Sequence, residues 1–123
     1  MTSPRLGTVL TAMVTPFAVD GTIDLDVAAE LARFLCAEGS DGLVVAGSTG
    51  EGSSLSDQEK LDLFECVAGA VTVPVLAGST SSDTAASVAL TARVASTGVA
   101  GVLATTPAYA RPNQSSLLFT DNF

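Results

Sequence analysis

The chain has 123 residues, 47 % of them hydrophobic, with thirteen acidic against five basic side chains and a net charge of −8. That apolar content excludes a disordered chain, and the charge excludes nucleic acid and anionic membrane surfaces as partners, because both require a basic patch. No apolar run approaches the ~18 residues of a membrane span. Met1–Leu6 has no basic stretch leading into an apolar one, so no secretory signal is expected and the protein reads as cytoplasmic. Cys36 and Cys66 lie in helix-like segments without metal-ligand spacing, and the chain has no histidine. No metal site is therefore expected, and both cysteines read as buried, reduced thiols.

In chain order, the first element is Thr8–Val14 (TVLTAMV), a β-branched and apolar run that Thr15-Pro16 stops as a strand. An Asp20-Gly21 turn follows, and from Asp24 the spacing becomes helical. Val27, Leu31, Phe34 and Leu35 then share one face, Asp24 or Asp26 can cap the start, and Gly39 suits the left-handed position after the end. Gly42–Ala46 (GLVVA) has the continuous apolar character of a strand buried on both faces. A glycine-rich loop, Gly47–Ser54, leads to Ser56-Asp57-Gln58-Glu59, a capping-box sequence opening a helix that carries Leu61, Phe64, Val67, Ala68 and Val71. Val73–Ala77 (VPVLA) predicts a third strand, with Pro74 tolerated near its start. A third helix runs from Ser82 or Asp83 through Ser96 and closes at Gly98. Gly101–Thr105 (GVLAT) is the fourth strand, and a fourth helix begins near Gln114.

The order is β-α-β-α-β-α-β-(α), repeating about every thirty residues. It implies an α/β fold of about four parallel strands and three to four helices. Four such units are half of a (β/α)8 TIM barrel, whose usual length is ~250 residues. The same rhythm also opens a doubly wound sheet. In either architecture, function gathers at the carboxyl ends of the strands. Here these ends read Thr15-Pro16, Gly47-Ser48-Thr49-Gly50-Glu51, Gly78-Ser79-Thr80 and Thr105-Thr106-Pro107-Ala108-Tyr109.

The GSTGE loop is the most informative of them. Glycines allow close approach of a ligand to the backbone, and consecutive N–H groups from Ser48 and Thr49 can cradle a carboxylate. The alternative is a hydroxyl-rich turn that only caps the next helix. Neither a dinucleotide fingerprint nor a P-loop is present. Tyr109, the only tyrosine, stands just past a strand end and serves either packing or proton relay.

Together, Leu10–Phe17 (LTAMVTPF), Gly42–Glu51 (GLVVAGSTGE) with Glu59 beyond it, Val73–Ser79 (VPVLAGS) and Thr105–Pro112 (TTPAYARP) resemble the dihydrodipicolinate synthase / N-acetylneuraminate lyase family. The resemblance runs from about Arg5 to Leu118 and makes residues 1–123 the N-terminal half of a barrel domain. The opening segment is most similar to the branch that condenses pyruvate with L-aspartate 4-semialdehyde on the diaminopimelate route to lysine. In that chemistry pyruvate forms a Schiff base with a barrel lysine, and no separate cofactor takes part.

Carried over by position, the resemblance assigns the pyruvate carboxylate to the backbone of Ser48 and Thr49. It assigns proton relay to the Ser48 hydroxyl and to Tyr109, the latter reaching across a dimer interface of a homotetramer. Three departures stand out: Ser48 replaces the usual threonine, Ala108 replaces a common interface tyrosine, and the expected lysine-effector positions are Asp57, Lys60, Ser82, Ala86 and Ala108. That set does not reproduce the polar and aromatic side chains of lysine-inhibited members, so weak sensitivity or insensitivity to lysine is expected. The Schiff-base lysine, the second relay tyrosine and the substrate arginine are expected beyond residue 123, and the tail Leu117–Phe123 leaves the family pattern, as a truncated or incomplete reading frame would. Lys60, the only lysine present, falls in the first turn of the second helix and is expected to be solvated or to snorkel there. A sialic acid or sugar-acid lyase and a non-catalytic half-barrel remain the alternatives.

Overall fold

The computed structural model describes residues 5–106. In chain order these form β1 (Leu10–Ala12), α1 (Leu25–Ala37), β2 (Gly42–Val45), a 3-10 turn (Gly52–Ser54), α2 (Asp57–Ala70), β3 (Val75–Ala77), α3 (Thr84–Val94) and β4 (Gly101–Val102). The anticipated fourth helix near Gln114 lies outside the described residues.

Each helix begins where the sequence supplies a cap for its orphan N–H groups. The Asp24 carboxylate accepts from Val27 N at 3.1 Å at the start of α1. Ser56 and Glu59 close a reciprocal capping box at α2, with Glu59 N donating to Ser56 Oγ at 3.2 Å and Ser56 N to Glu59 Oε1 at 3.1 Å. Asp83 accepts from Ala85 N at 3.0 Å at α3. At the other end of α1, Gly39 takes φ +112°. There Gly39 N donates to Cys36 O at 3.2 Å and Ser40 N to Leu35 O at 3.0 Å, which is the Schellman pattern.

The four strands are parallel and lie in chain order, β1-β2-β3-β4. A doubly wound sheet reverses direction at a switch point. The described strands never do, so each crossover moves the chain the same way, as in a barrel. The register pairs Leu43 with Val75, Val45 with Ala77, and Ala77 with Val102 on one face. That face is the core: Leu43, Val45, Val75 and Ala77 pack with Ala28 and Ala32 of α1, Phe64 and Val67 of α2, and Leu90 and Val94 of α3. Complete burial of Phe64, at 0 % exposure, contributes roughly 1.5–3 kcal/mol.

The opposite face pairs Ala12 with Val44 and Val44 with Leu76. It is apolar as well, yet no helix among the described residues covers it, and Leu10 remains 39 % exposed. A parallel sheet is stable when both faces are buried. In a barrel this second face lines the interior.

Several expectations are corrected. All four strands are shorter than their apolar runs. Val9 N and Thr8 N bond to the Asp41 carboxylate at 2.8 and 2.9 Å instead of to a neighbouring strand. β2 stops before Ala46 because Ala46 turns left-handed, at φ +55°. Val27 and Phe34 do not face the core: they are 44 % and 58 % exposed, and Ala28 and Ala32 take the buried positions. Lys60 is 6 % exposed rather than solvated. Cys36 and Cys66 are free thiols and only partly buried.

Candidate carboxylate site at the strand ends

The site begins at Ala46. Its left-handed backbone swings the chain out of the sheet, and the next residues fold back on themselves: Glu51 N donates to Ser48 O at 3.1 Å and Gly52 N to Gly47 O at 3.0 Å. Glu51 is left-handed too, at φ +58°. Two non-glycine residues in that region within six positions mark a backbone held in shape by its surroundings.

Those surroundings are glycines. A β-carbon on Gly52 would lie 2.0 Å from the Ala46 carbonyl oxygen, and one on Gly78 would lie 2.4 Å from the same atom. Gly50 is pressed against β1's exit, where a β-carbon would meet Met13 O at 2.9 Å. Glycine is required at these positions because backbone meets backbone. The loop is therefore wedged between the ends of β1 and β3.

Ser48 and Thr49 stand at the crest of this loop and are exposed. Among the described residues, neither their N–H groups nor their hydroxyls have a protein partner. Two adjacent free N–H donors on a fixed turn are what an anionic carboxylate requires. The third expected site residue, Tyr109, lies outside the described residues. Lys60, in the first turn of α2, lies on the helix and not on a strand end.

Two further groups border the loop. Thr15 is 5 % exposed, and its hydroxyl donates to Gly50 O at 2.6 Å. The Thr80 and Thr105 hydroxyls meet at 2.8 Å, joining the exits of β3 and β4, and Thr105 N also donates to Thr80 Oγ1 at 3.3 Å. The sequence signals for these are weak, since Thr15-Pro16 looks like a strand stop and Thr80 like part of a polar turn. Beneath them, Ser79 and Thr91 pair their hydroxyls at 2.7 Å, which ties the β3 exit to α3.

Away from the site, both thiols are held above their ordinary pKa of 9.0. Desolvation raises Cys36. Desolvation and then the Asp26 charge raise Cys66, against the opposing pull of Arg33. Cys66 Sγ also donates to Leu25 O at 3.2 Å. Both groups are thus poor nucleophiles. No helix among the described residues is long and apolar enough to cross a membrane, and none of their His, Cys, Asp and Glu side chains form a metal-binding cluster.

A sequentially ordered parallel sheet with helices on one face, an uncovered apolar second face and a fixed donor loop at the strand ends defines half of a (β/α)8 barrel. Known proteins specify it further. The model of the dihydrodipicolinate synthetase family matches residues 5–119, and the chain belongs to that family.

The 4-hydroxy-tetrahydrodipicolinate synthase of Symbiobacterium thermophilum is 51 % identical over 116 residues, covering 93 % of this chain and 40 % of that protein. The protein of the same name from Mycolicibacterium paratuberculosis is 50 % identical, covering 93 % and 39 %. Among solved structures, a dihydrodipicolinate synthase from Bacillus anthracis superposes with a TM-score of 0.87 at 39 % identity, covering 91 % of this chain and 39 % of that one. The chloride-inhibited dihydrodipicolinate synthase of Acinetobacter baumannii, solved as a complex with pyruvate, gives 0.86 at 28 % identity, covering 92 % and 40 %. The chain thus spans about 40 % of the length of the curated relatives it matches.

Proposed function

We propose that this chain forms the pyruvate-carboxylate half of a 4-hydroxy-tetrahydrodipicolinate synthase, a lyase that condenses pyruvate with L-aspartate 4-semialdehyde in diaminopimelate and lysine biosynthesis. The observation that carries the reading is the GSTGE loop, in which the consecutive N–H groups of Ser48 and Thr49 have no protein acceptor among the described residues. These amides receive the carboxylate of pyruvate. The Ser48 hydroxyl, within the same turn, passes protons in a relay completed by Tyr109. Serine serves in place of threonine because the relay needs only a hydroxyl, at the cost of a freer rotamer.

The nucleophile is a strand-end lysine outside these 123 residues. Lys60 is the only lysine in the chain, and it is buried in the first turn of α2. The chain alone therefore performs no condensation. The complete enzyme works as a homotetramer, with Tyr109 entering the neighbouring subunit's site, and the free thiols suit the reducing cytoplasm.

Borohydride trapping tests this division of labour. With pyruvate and borohydride the 123-residue chain gains no adduct, whereas a reading frame that continues into the later strands gains one on a strand-end lysine. A stable adduct on Lys60 refutes the proposal. In the continued chain, pyruvate consumption that depends on aspartate 4-semialdehyde supports the synthase. Activity with an N-acetylated amino sugar in its place identifies a sialic acid lyase.

A further inference from the structure

We infer that Thr15 is a positioning residue for the carboxylate site, pinning the crest of the GSTGE loop through the Gly50 carbonyl. This rests on the carboxylate reading above and extends it to a residue on another strand. The internal bonds of the loop, Glu51 N to Ser48 O and Gly52 N to Gly47 O, fix its shape but not its place relative to β1.

The tie to β1 is the Thr15 hydroxyl, which donates to Gly50 O at 2.6 Å from a side chain 5 % exposed. The approach is close: a β-carbon on Gly50 would meet Met13 O at 2.9 Å, Ala46 N at 3.2 Å and Thr15 Oγ1 at 3.2 Å, so the Gly50 backbone lies directly against the exits of β1 and β2. Thr49 directly precedes Gly50 and Ser48 precedes Thr49, so the two donor N–H groups inherit their position from this anchor. The β-branch of Thr15 restrains its rotamer, so the hydroxyl is already aimed. Its removal leaves a buried carbonyl without a partner, and the loop must shift to find one.

The experiment follows backbone amide resonances of the 123-residue chain, wild type, Thr15→Val and Thr15→Ser, with and without pyruvate. In the wild type the Thr15 hydroxyl proton exchanges slowly enough with water to be observed, and its absence overturns the proposal whatever the variants do. Thr15→Val is expected to lower the heteronuclear NOE of Ser48 and Thr49 while leaving the β2 and β3 amides in place. It should also weaken pyruvate binding about three- to tenfold, the range that loss of one hydrogen bond gives. Thr15→Ser keeps a donor and restores binding to within about twofold. Unchanged loop order in Thr15→Val overturns the positioning role. Loop disorder in Thr15→Val, without any pyruvate response in the wild type, upholds the positioning role and refutes the carboxylate reading, so the two failures are distinct.

Discussion

Replacing Gly52 by alanine tests whether the site loop is truly wedged on Ala46. The added β-carbon would sit 2.0 Å from Ala46 O, 2.9 Å from Ala46 C and 3.3 Å from Gly47 O. Carbon atoms are at ease at about 3.5–4.0 Å, so relief requires more than an ångström of movement. All three obstructing atoms are backbone, and no rotamer change provides that movement. Overpacking of this kind costs about 1–3 kcal/mol. Gly52→Ala belongs at the upper end, about 3 kcal/mol, because the obstruction is a carbonyl of a left-handed residue that is itself held in place. Gly78→Ala meets the same oxygen at 2.4 Å and should behave alike.

The control is Gly69 in α2, where a β-carbon meets nothing within 4 Å. There alanine should stabilise by about 0.8–1 kcal/mol through helix propensity alone. Urea unfolding at constant protein concentration, with the midpoints of the three variants compared, reads all of this. A Gly52→Ala variant as stable as the wild type would refute the packing described for the loop.

Two further outcomes follow from other parts of the molecule. The Asp41 carboxyl is held below its ordinary 3.8 by the N–H groups of Val9 and Thr8. A carboxyl lowered in the folded state contributes stability that is present above 3.8 and lost as pH falls through its folded value. Acid titration of stability should therefore be shallower in Asp41→Asn, and identical profiles would contradict the contact. The uncovered sheet face, with Leu10 39 % and the nearby Val14 and Leu103 53 % and 43 % exposed, should make the 123-residue chain self-associate. Sedimentation velocity would show this as a concentration-dependent increase in mass, whereas a monomer with a cooperative melt at all concentrations would count against it.

What was legible in the sequence was mostly local. Asp24, Ser56 with Glu59, and Asp83 act within three residues of themselves, so their caps could be read without knowing the fold. Gly39 likewise ends α1 with positive φ, whereas α3 stops at Val94, short of the expected Ser96, and Gly98 takes its positive φ in the turn beyond. The GSTGE loop stood out because glycines and hydroxyls cluster there at a strand end, where ligands of parallel α/β folds gather. Features set by distant partners were not legible. The start of β1 is decided by Asp41, thirty-three residues from Thr8, and the periodicity of α1 could not say which apolar residues face the sheet. Ala28 and Ala32 are fully buried, because small side chains let a helix approach closely, and this leaves Val27 and Phe34 outside. Thr15 showed only its proline neighbour, and nothing local announces a hydroxyl aimed at Gly50, thirty-five residues away.

The central claim is that Ser48 and Thr49 receive the carboxylate of pyruvate, and the most direct test is a titration of the amide resonances with pyruvate and, in parallel, with pyruvamide. The account predicts saturable shifts centred on the Ser48 and Thr49 N–H groups for pyruvate, and none for the uncharged amide. Equal responses to both compounds, or shifts centred away from the GSTGE loop, would contradict it.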